Sequence, residues 1–388
     1  MQPASREFVV LGGGVMGLSV ARELAQRGVK VTLIEKGSIS ADTQGAATWA
    51  SLGVLGASTG GRSPWKRLQS YGYRTYPALA VGLLAETGMD IGYSVRGSLH
   101  LKSELPRLGT QVRAERLYRE AGLEAKWLAS KELSELVPGL FDREDSSFRA
   151  AFYIASEAIV HPPSLARALK ASCERRGVRL RERSGEARLA GTDEAFVEVA
   201  GERIGGVGVV LCAGCWSGLA SNSMGYLGVP IRAVRGQAIE VPMDRPSCPN
   251  LRFESPSLRR EYQIVSKGNG LAWVGSTVED AGFDPCVTSA GLRELIEAAR
   301  RVLPDLREKD IVRSWAGLRP QALRPGGPFL GRVPGWKNVW VASGHYRSGI
   351  LTGPASARLL VQDILGEEIL EEETGFDREA LAAFRVER

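Results

Sequence analysis

The order of predicted elements makes this an α/β (α+β) chain: a parallel-sheet unit assembled from separated segments, interrupted by a mainly antiparallel β unit. Three observations predict it. Gly12-Gly13-Gly14-Val15-Met16-Gly17 forms a G-x-G-x-x-G turn between an apolar run and a helical pattern. Strand–helix–strand patterning returns around residues 163–214 and again near the C-terminus. The stretches between them alternate apolar and polar residues, as half-buried strands do.

The first unit is Rossmann-like. Phe8, Val9, Val10 and Leu11 read as a buried strand, and Leu18, Ala21, Leu24 and Ala25 recur at helical spacing. Gly28 ends that helix, and Val29 to Ile34 read as a second strand closed by Glu35. In such a turn Gly12 permits the bend, Gly14 lets the backbone approach a diphosphate, and Gly17 lets helix pack on strand. The helix N-terminus offers N–H groups to phosphates, and Glu35 is placed to accept from a ribose hydroxyl.

Residues 36–61 are small and polar, which suits a loop and helix running along a long cofactor. A helix is predicted over 64–88, strands over 91–102 and a short helix over Lys131 to Leu136. Pro162-Pro163 opens a helix that Gly177 closes. Strands follow at Val178 to Leu180, Phe196 to Val199 and Val207 to Leu211. Residues 230–241 and 262–277 read as sheet, and Leu292 to Leu303 as a helix that Pro304 stops. Val339 to Ser343 is a strand running into Gly344, with a helix from about 349 to 365 after it. This order predicts a nucleotide domain from 1–85, 151–225 and 330–388, and a substrate domain from 86–150 and 226–329.

Bulk properties narrow the function classes. The chain has 388 residues, 44% of them apolar and 24% charged, and a net charge of +6. That composition is globular, and its Lys and Arg residues are scattered, so no nucleic-acid stripe is expected. A mild positive field favours an anionic substrate. No apolar run approaches a membrane span, and the first strand starts too early for a targeting segment, so a cytoplasmic protein is expected. The five cysteines read as reduced thiols, and Cys212-Ala213-Gly214-Cys215 has neither a second pair nor a nearby His to make it a metal or redox site.

Four blocks together carry a family resemblance over nearly the whole chain. They are the glycine turn with Glu35, Val209 to Ser217, Trp315-Ala316-Gly317-Leu318-Arg319-Pro320, and Gly344-His345-Tyr346-Arg347-Ser348-Gly349-Ile350-Leu351. The chain resembles the FAD-dependent amino-acid and amine oxidases of the D-amino-acid oxidase superfamily, glycine oxidases above all. The resemblance implies FAD held by both ends of the chain. Gly12, Gly14, Val15, Met16, Gly17, Glu35, Lys36, Gly45, Ala46, Ala47, Gly214 and Trp216 fall on cofactor-side positions. So do Gly344, Arg347, Ser348, Gly349 and Ile350, placed near the flavin pyrimidine. It implies non-covalent FAD, since residues 321–331 hold no cysteine.

The implied reaction is oxidative deamination of a small amino acid, glycine or a close relative. Cα gives a hydride to flavin N5, and the resulting imine is hydrolysed while oxygen is reduced to peroxide. Arg319 matches the family's carboxylate-binding arginine, and Pro320 restrains its backbone. Arg347 matches a second arginine near the substrate, whereas His345 and His161 read as packed histidines and His100 carries no signal. Three departures touch the substrate side. Alignment on Ile264-Val265 puts Gln263 where the family has a tyrosine, with Tyr262 one residue early; the family's Pro-Arg is Ser266-Lys267; and Arg324-Pro325-Gly326-Gly327 replaces an Asp-Gly. A one-residue offset turns a strand side chain to the other face, so either Gln263 or Tyr262 meets the substrate. A larger or more anionic amino acid, or a secondary amine, is open on these grounds. So are a dehydrogenase with another electron acceptor, a flavin-binding subunit without turnover, and a homo-oligomer.

Overall fold

The computed structural model describes residues 7–39, 45–142, 146–191, 194–218 and 229–386; parts of the predicted 36–61 loop, and residues 1–6, on which the expectation about a targeting segment falls, lie outside them. In chain order the elements begin with β1 (Glu7–Leu11), α1 (Val15–Gln26), β2 (Lys30–Ile34), α2 (Ala47–Ala50), β3 (Val54–Leu55) and α3 (Pro64–Thr87). Then come β4 (Ser94–Val95), β5 (Ser98–Lys102), α4 (Leu108–Glu120), β6 (Ala125–Ala129), α5 (Ser130–Leu136), β7 (Ala150–Ile154) and β8 (Ala158–Ile159). They are followed by α6 (Pro162–Arg175), β9 (Arg179–Arg181), β10 (Ala187–Ala190), β11 (Phe196–Val199), β12 (Glu202–Gly205) and β13 (Gly208–Leu211). The last third holds β14 (Ile231–Pro242), β15 (Asn250–Ser255), β16 (Arg260–Ser266), β17 (Leu271–Gly275), α7 (Ser289–Arg300), β18 (Arg313–Ala322), β19 (Phe329–Arg332), β20 (Val339–Ser343) and α8 (Gly349–Leu365).

Two sheets organise these elements. The first has the order β19-β20-β13-β1-β2-β9 and is parallel except at β19. Its strands are apolar on both faces because both are covered. On one face α1, α3, α6 and α8 bury Leu18, Leu24, Leu68, Leu165 and Leu360; on the other the β10-β11-β12 sheet buries Leu189 and Val197 against Val9 and Val209. The second sheet runs β18-β14-β17-β16-β15-β5-β7-β6 and is antiparallel except between β15 and β5. One of its faces packs on α5 and α7 through Leu133, Leu295, Ile296 and Ala299. A division at 150/151 would cut β7, whose five residues all pair within this second sheet.

Register decides which side chains leave that core. One rung passes through Trp315, Ala238, Gly275, Gln263, Arg252 and His100, on six successive strands. Residues on a rung share a face. Their chain neighbours Tyr262, Ile264, Leu251, Phe253 and Leu99 are in the α7-side core. The rung therefore faces away from that core, toward the first sheet.

Candidate active site

The turn after β1 is built by close approach. A Cβ on Gly17 would lie 1.8 Å from the Gly12 carbonyl oxygen, so only glycine lets α1 start this near the strand. No side chain caps α1; the Val15 N–H donates to Thr48 Oγ1 at 3.0 Å. Glu35, at the end of β2, accepts from the Gly13 and Gly37 N–H groups at 2.6 and 2.9 Å. Lys36 is exposed and pairs with Glu186 at 3.7 Å.

A cavity of about 1500 Å³ begins at this turn and runs to the N-terminus of α8. Gly12, Gly14, Val15, Met16, Glu35, Lys36, Ala46, Ala47, Gly214, Trp216, Arg347, Ser348, Gly349 and Ile350 line it, as do Gln263 and Arg319. The remaining cofactor-side candidates, Gly17, Gly45 and Gly344, lie behind the wall. Gly45 accepts from the Leu318 N–H at 3.0 Å, and Gly344 packs on Ala322.

The far end is the turn from β20 into α8. His345 is buried, its Nε2 3.0 Å from Ser356 Oγ, and burial pushes it down to about 3, so it is a neutral packing residue. Tyr346 takes a positive φ of 52° and its N–H donates to the Pro320 carbonyl at 2.7 Å, which ties this turn to the end of β18. Ser348 caps α8 without a side-chain bond, so this helix too presents uncapped N–H groups to the cavity. An elongated cavity with such a helix terminus at each end suits a bound dinucleotide whose diphosphate and far ring both carry negative charge.

Arg319 lies between these ends. Its guanidinium crosses β14 over Gly236 and donates to Ser276 Oγ at 2.6 Å, to the Thr277 carbonyl at 3.1 Å and to the Arg235 carbonyl at 3.3 Å. A Cβ on Gly236 would come within 1.9 Å of Nη2, so this glycine is what lets the side chain lie flat. All three acceptors are neutral, and no ion pair to Arg319 forms among the described residues. Burial, with the Arg347 charge adding to it, pushes Arg319 down to about 10, and it stays cationic at neutral pH. A buried, oriented guanidinium that faces a cavity with no ion-pair partner among the described residues is a receptor for a carboxylate. Arg347 is 40% exposed and 3.8 Å from Glu261.

The structure turns Gln263 and Tyr262 to opposite faces of β16. Gln263 lines the cavity, whereas Tyr262 is fully buried on the opposite face and its hydroxyl donates to Glu294 Oε1 at 2.8 Å. The expectation that Tyr262 serves the substrate is corrected: no bulge intervenes, and strand parity turns it into the α7-side core. The other departures also point elsewhere. Lys267 Nζ donates to the Leu52 carbonyl at 2.7 Å and sits 3.9 Å above the Trp273 ring, tethering the segment that follows α2. Arg324 reaches the Arg385 carbonyl at 2.6 Å, near the C-terminus.

Several wall residues gave no sequence signal: Thr48, His100, Tyr118, Glu157, Arg252 and Ser276. Five come from segments that only the sheet register and packing bring together; the spacing of Thr48 from the glycine turn was its one available cue. His161 caps α6, accepting from the Ser164 N–H. Cys212 and Cys215 are buried free thiols that burial pushes up, Cys215 to about 12, which keeps them protonated. No helix among the described residues is long and apolar enough to cross a membrane.

Comparison with known proteins agrees with this geometry. A family model described as FAD dependent oxidoreductase matches residues 7–362. A glycine oxidase of Pseudomonas aeruginosa is 34% identical over 379 residues, covering 94% of this chain and 96% of that one. The crystal structure of glycine oxidase from Geobacillus kaustophilus superposes with a TM-score of 0.84 at 28% identity, covering 99% of each chain. That of iminodiacetate oxidase from Chelativorans sp. BNC1 gives 0.80 at 27% identity, covering 95% of this chain and 98% of that one.

Proposed function

As the chain belongs to the FAD-dependent oxidoreductase family, we propose that it catalyses oxidative deamination of a small amino acid, glycine or a close relative, with oxygen as acceptor, in the cytoplasm. The observation that carries this reading is Arg319: a buried guanidinium held by three neutral acceptors and open to the cavity. FAD, when bound, supplies the two-electron acceptor for the amine carbon.

The chain's own residues bind and orient. Gly12 to Gly17 and the first turn of α1 hold the diphosphate, and Glu35 serves the adenosine ribose. With FAD bound, the Gly349, Ile350 and Leu351 N–H groups at the start of α8 would favour negative charge at the far end of the cofactor. Ala46, Ala47, Gly214 and Trp216 wall the channel between, and the cofactor is held non-covalently. Arg319 takes the substrate carboxylate in two parallel bonds and fixes where Cα lies. Gln263, on the same face, offers a polar group beside it, and Arg347 guards the opening. The residues around the parallel sheet form the FAD-binding domain and those around the second sheet the substrate domain. His345 and His161 are held in packing and capping roles, and hydride transfer asks for no side-chain base, so the substrate amine reacts in its neutral form.

The test is anaerobic. Glycine, N-methylglycine and small D-amino acids should bleach the bound flavin, and the corresponding amines without a carboxylate should do so far more slowly. A flavin bleached equally by both sets would remove Arg319 from the account.

A further inference from the structure

Beyond Arg319, the cavity-facing rung continues through Gln263 to Arg252 and His100. The Arg319 guanidinium ends at Ser276, the residue after Gly275 on that same rung. Arg252 is two strands further on, about 10 Å away measured between strand backbones, and its side chain lines the same cavity. Gln263 stands between the two arginines and accepts from Asn250 Nδ2 at 3.4 Å.

Arg252 is incompletely used by the protein. Its Nε pairs with Glu261 at 2.6 Å, but it donates no hydrogen bond from Nη1 or Nη2 among the described residues. Glu261 is shared, since Arg347 also lies 3.8 Å from it. Beside Arg252, His100 Nε2 is buried without a partner, and Tyr118 joins the wall.

Three guanidinium groups gather at this end. Arg319, Arg347 and Arg252 line this end of the cavity, and Glu261 is the ion-pair partner of both Arg252 and Arg347 among the described residues. Glu157 also lines the wall; it is 4% exposed, and burial raises it above its ordinary value against the opposing pull of Ser98, Arg252 and the Ala57 N–H. Burial, with Arg252 adding, pushes His100 down to about 4, so it contributes no charge at neutral pH. One substrate carboxylate answers Arg319 and leaves the Nη groups of Arg252, on the same wall, to meet a second anion.

We infer that Arg252, with Tyr118 and His100, forms a second anion subsite, and that the preferred substrates are amines bearing two carboxylates. This rests on the reading that Arg319 takes the first carboxylate. The two carboxylates are joined by a short C–N–C or C–C–C bridge: the second group sits on the nitrogen substituent or on the side chain, and it replaces solvent on the free Nη groups of Arg252.

Binding of thioether analogues to the FAD-loaded protein, measured by calorimetry, tests the subsite without turnover. Thiodiglycolate carries two carboxylates and (methylthio)acetate one. The wild type should bind thiodiglycolate about ten- to hundredfold more tightly, the range of one charge-assisted contact. Arg252→Gln should reduce that preference to within about threefold. Glu261→Gln, which removes the protein's own competitor for Arg252, should increase it. Equal affinities in the wild type, a preference that survives Arg252→Gln, or one that Glu261→Gln leaves unchanged would overturn the subsite. Turnover separates this from the parent reading: if N-(carboxymethyl) amino acids, acidic D-amino acids and glycine all fail to reduce the flavin while thiodiglycolate keeps its advantage, amine oxidation fails and the subsite stands. If glycine is oxidised but the two analogues bind alike, the reverse holds.

Discussion

Replacing Gly236 by alanine puts one carbon into the space that Arg319 occupies. The new Cβ would lie 1.9 Å from Nη2, 2.2 Å from Cζ and 2.3 Å from Nη1. Non-bonded heavy atoms settle at about 3.5 Å, so the guanidinium must move by roughly 1.5 Å. That motion breaks the 2.6 Å bond to Ser276 Oγ and tilts the fork away from the position it would offer a carboxylate. A misplacement of about 1 Å can cost about a hundredfold in rate, which is about 2.7 kcal/mol of transition-state stabilisation. The assay is kcat/KM by rapid anaerobic flavin reduction with the best carboxylated amine, together with the Kd of a non-reactive carboxylate. Flavin content and the melting temperature show whether the variant is folded. Gly236→Ala should lose about a hundredfold in kcat/KM and weaken the carboxylate by a similar factor. A folded, flavin-loaded variant within about threefold of wild type on both would refute the idea that Arg319's flat pose positions substrate.

Other outcomes follow from the same geometry. Gly17→Ala should lower flavin retention at least about tenfold, read as visible absorbance per protein, because its Cβ would collide with the Gly12 carbonyl. Tyr262→Phe should cost about 1 kcal/mol of stability through the lost Glu294 bond and leave kcat/KM unchanged in a denaturation-plus-kinetics comparison. Burial pushes Lys267 down to about 7 from an ordinary 10.5. Between those values the unfolded chain holds the extra proton, so stability relative to Lys267→Met should rise as pH goes from about 7 toward 10.5 and level off on either side. The kcat/KM profile should climb through the alkaline range as the substrate amine loses its proton, and a flat profile would count against the chemistry.

Local signals made much of the first sheet legible. The β1–α1–β2 unit announces itself because a buried strand, a glycine turn and an amphipathic helix occupy adjacent residues. The α8 helix was readable over 349–365 for the same reason, and Gly349–Leu365 is what forms. By contrast α4 buries none of its thirteen residues, so its sequence carries no core-facing period to read. The site was half legible. Arg319 and Arg347 stand inside recognisable blocks, but Arg252, His100 and Ser276 converge only through the register of strands drawn from distant parts of the chain. Strand parity reduced the Tyr262–Gln263 question to two answers, and only the packing of Tyr262 against Phe253 and Glu294 chose between them.

The account stands most directly on the match between Arg319 and a substrate carboxylate. Anaerobic flavin reduction should be measured for glycine and for methylamine, its counterpart without the carboxylate, in the wild type and in Arg319→Ala. The wild type should favour the amino acid by about thirty- to a thousandfold in kcat/KM, as two charge-assisted bonds would allow. Arg319→Ala should erase that preference while reacting with methylamine at the wild-type rate or faster. A preference that survives the loss of Arg319 would contradict the account.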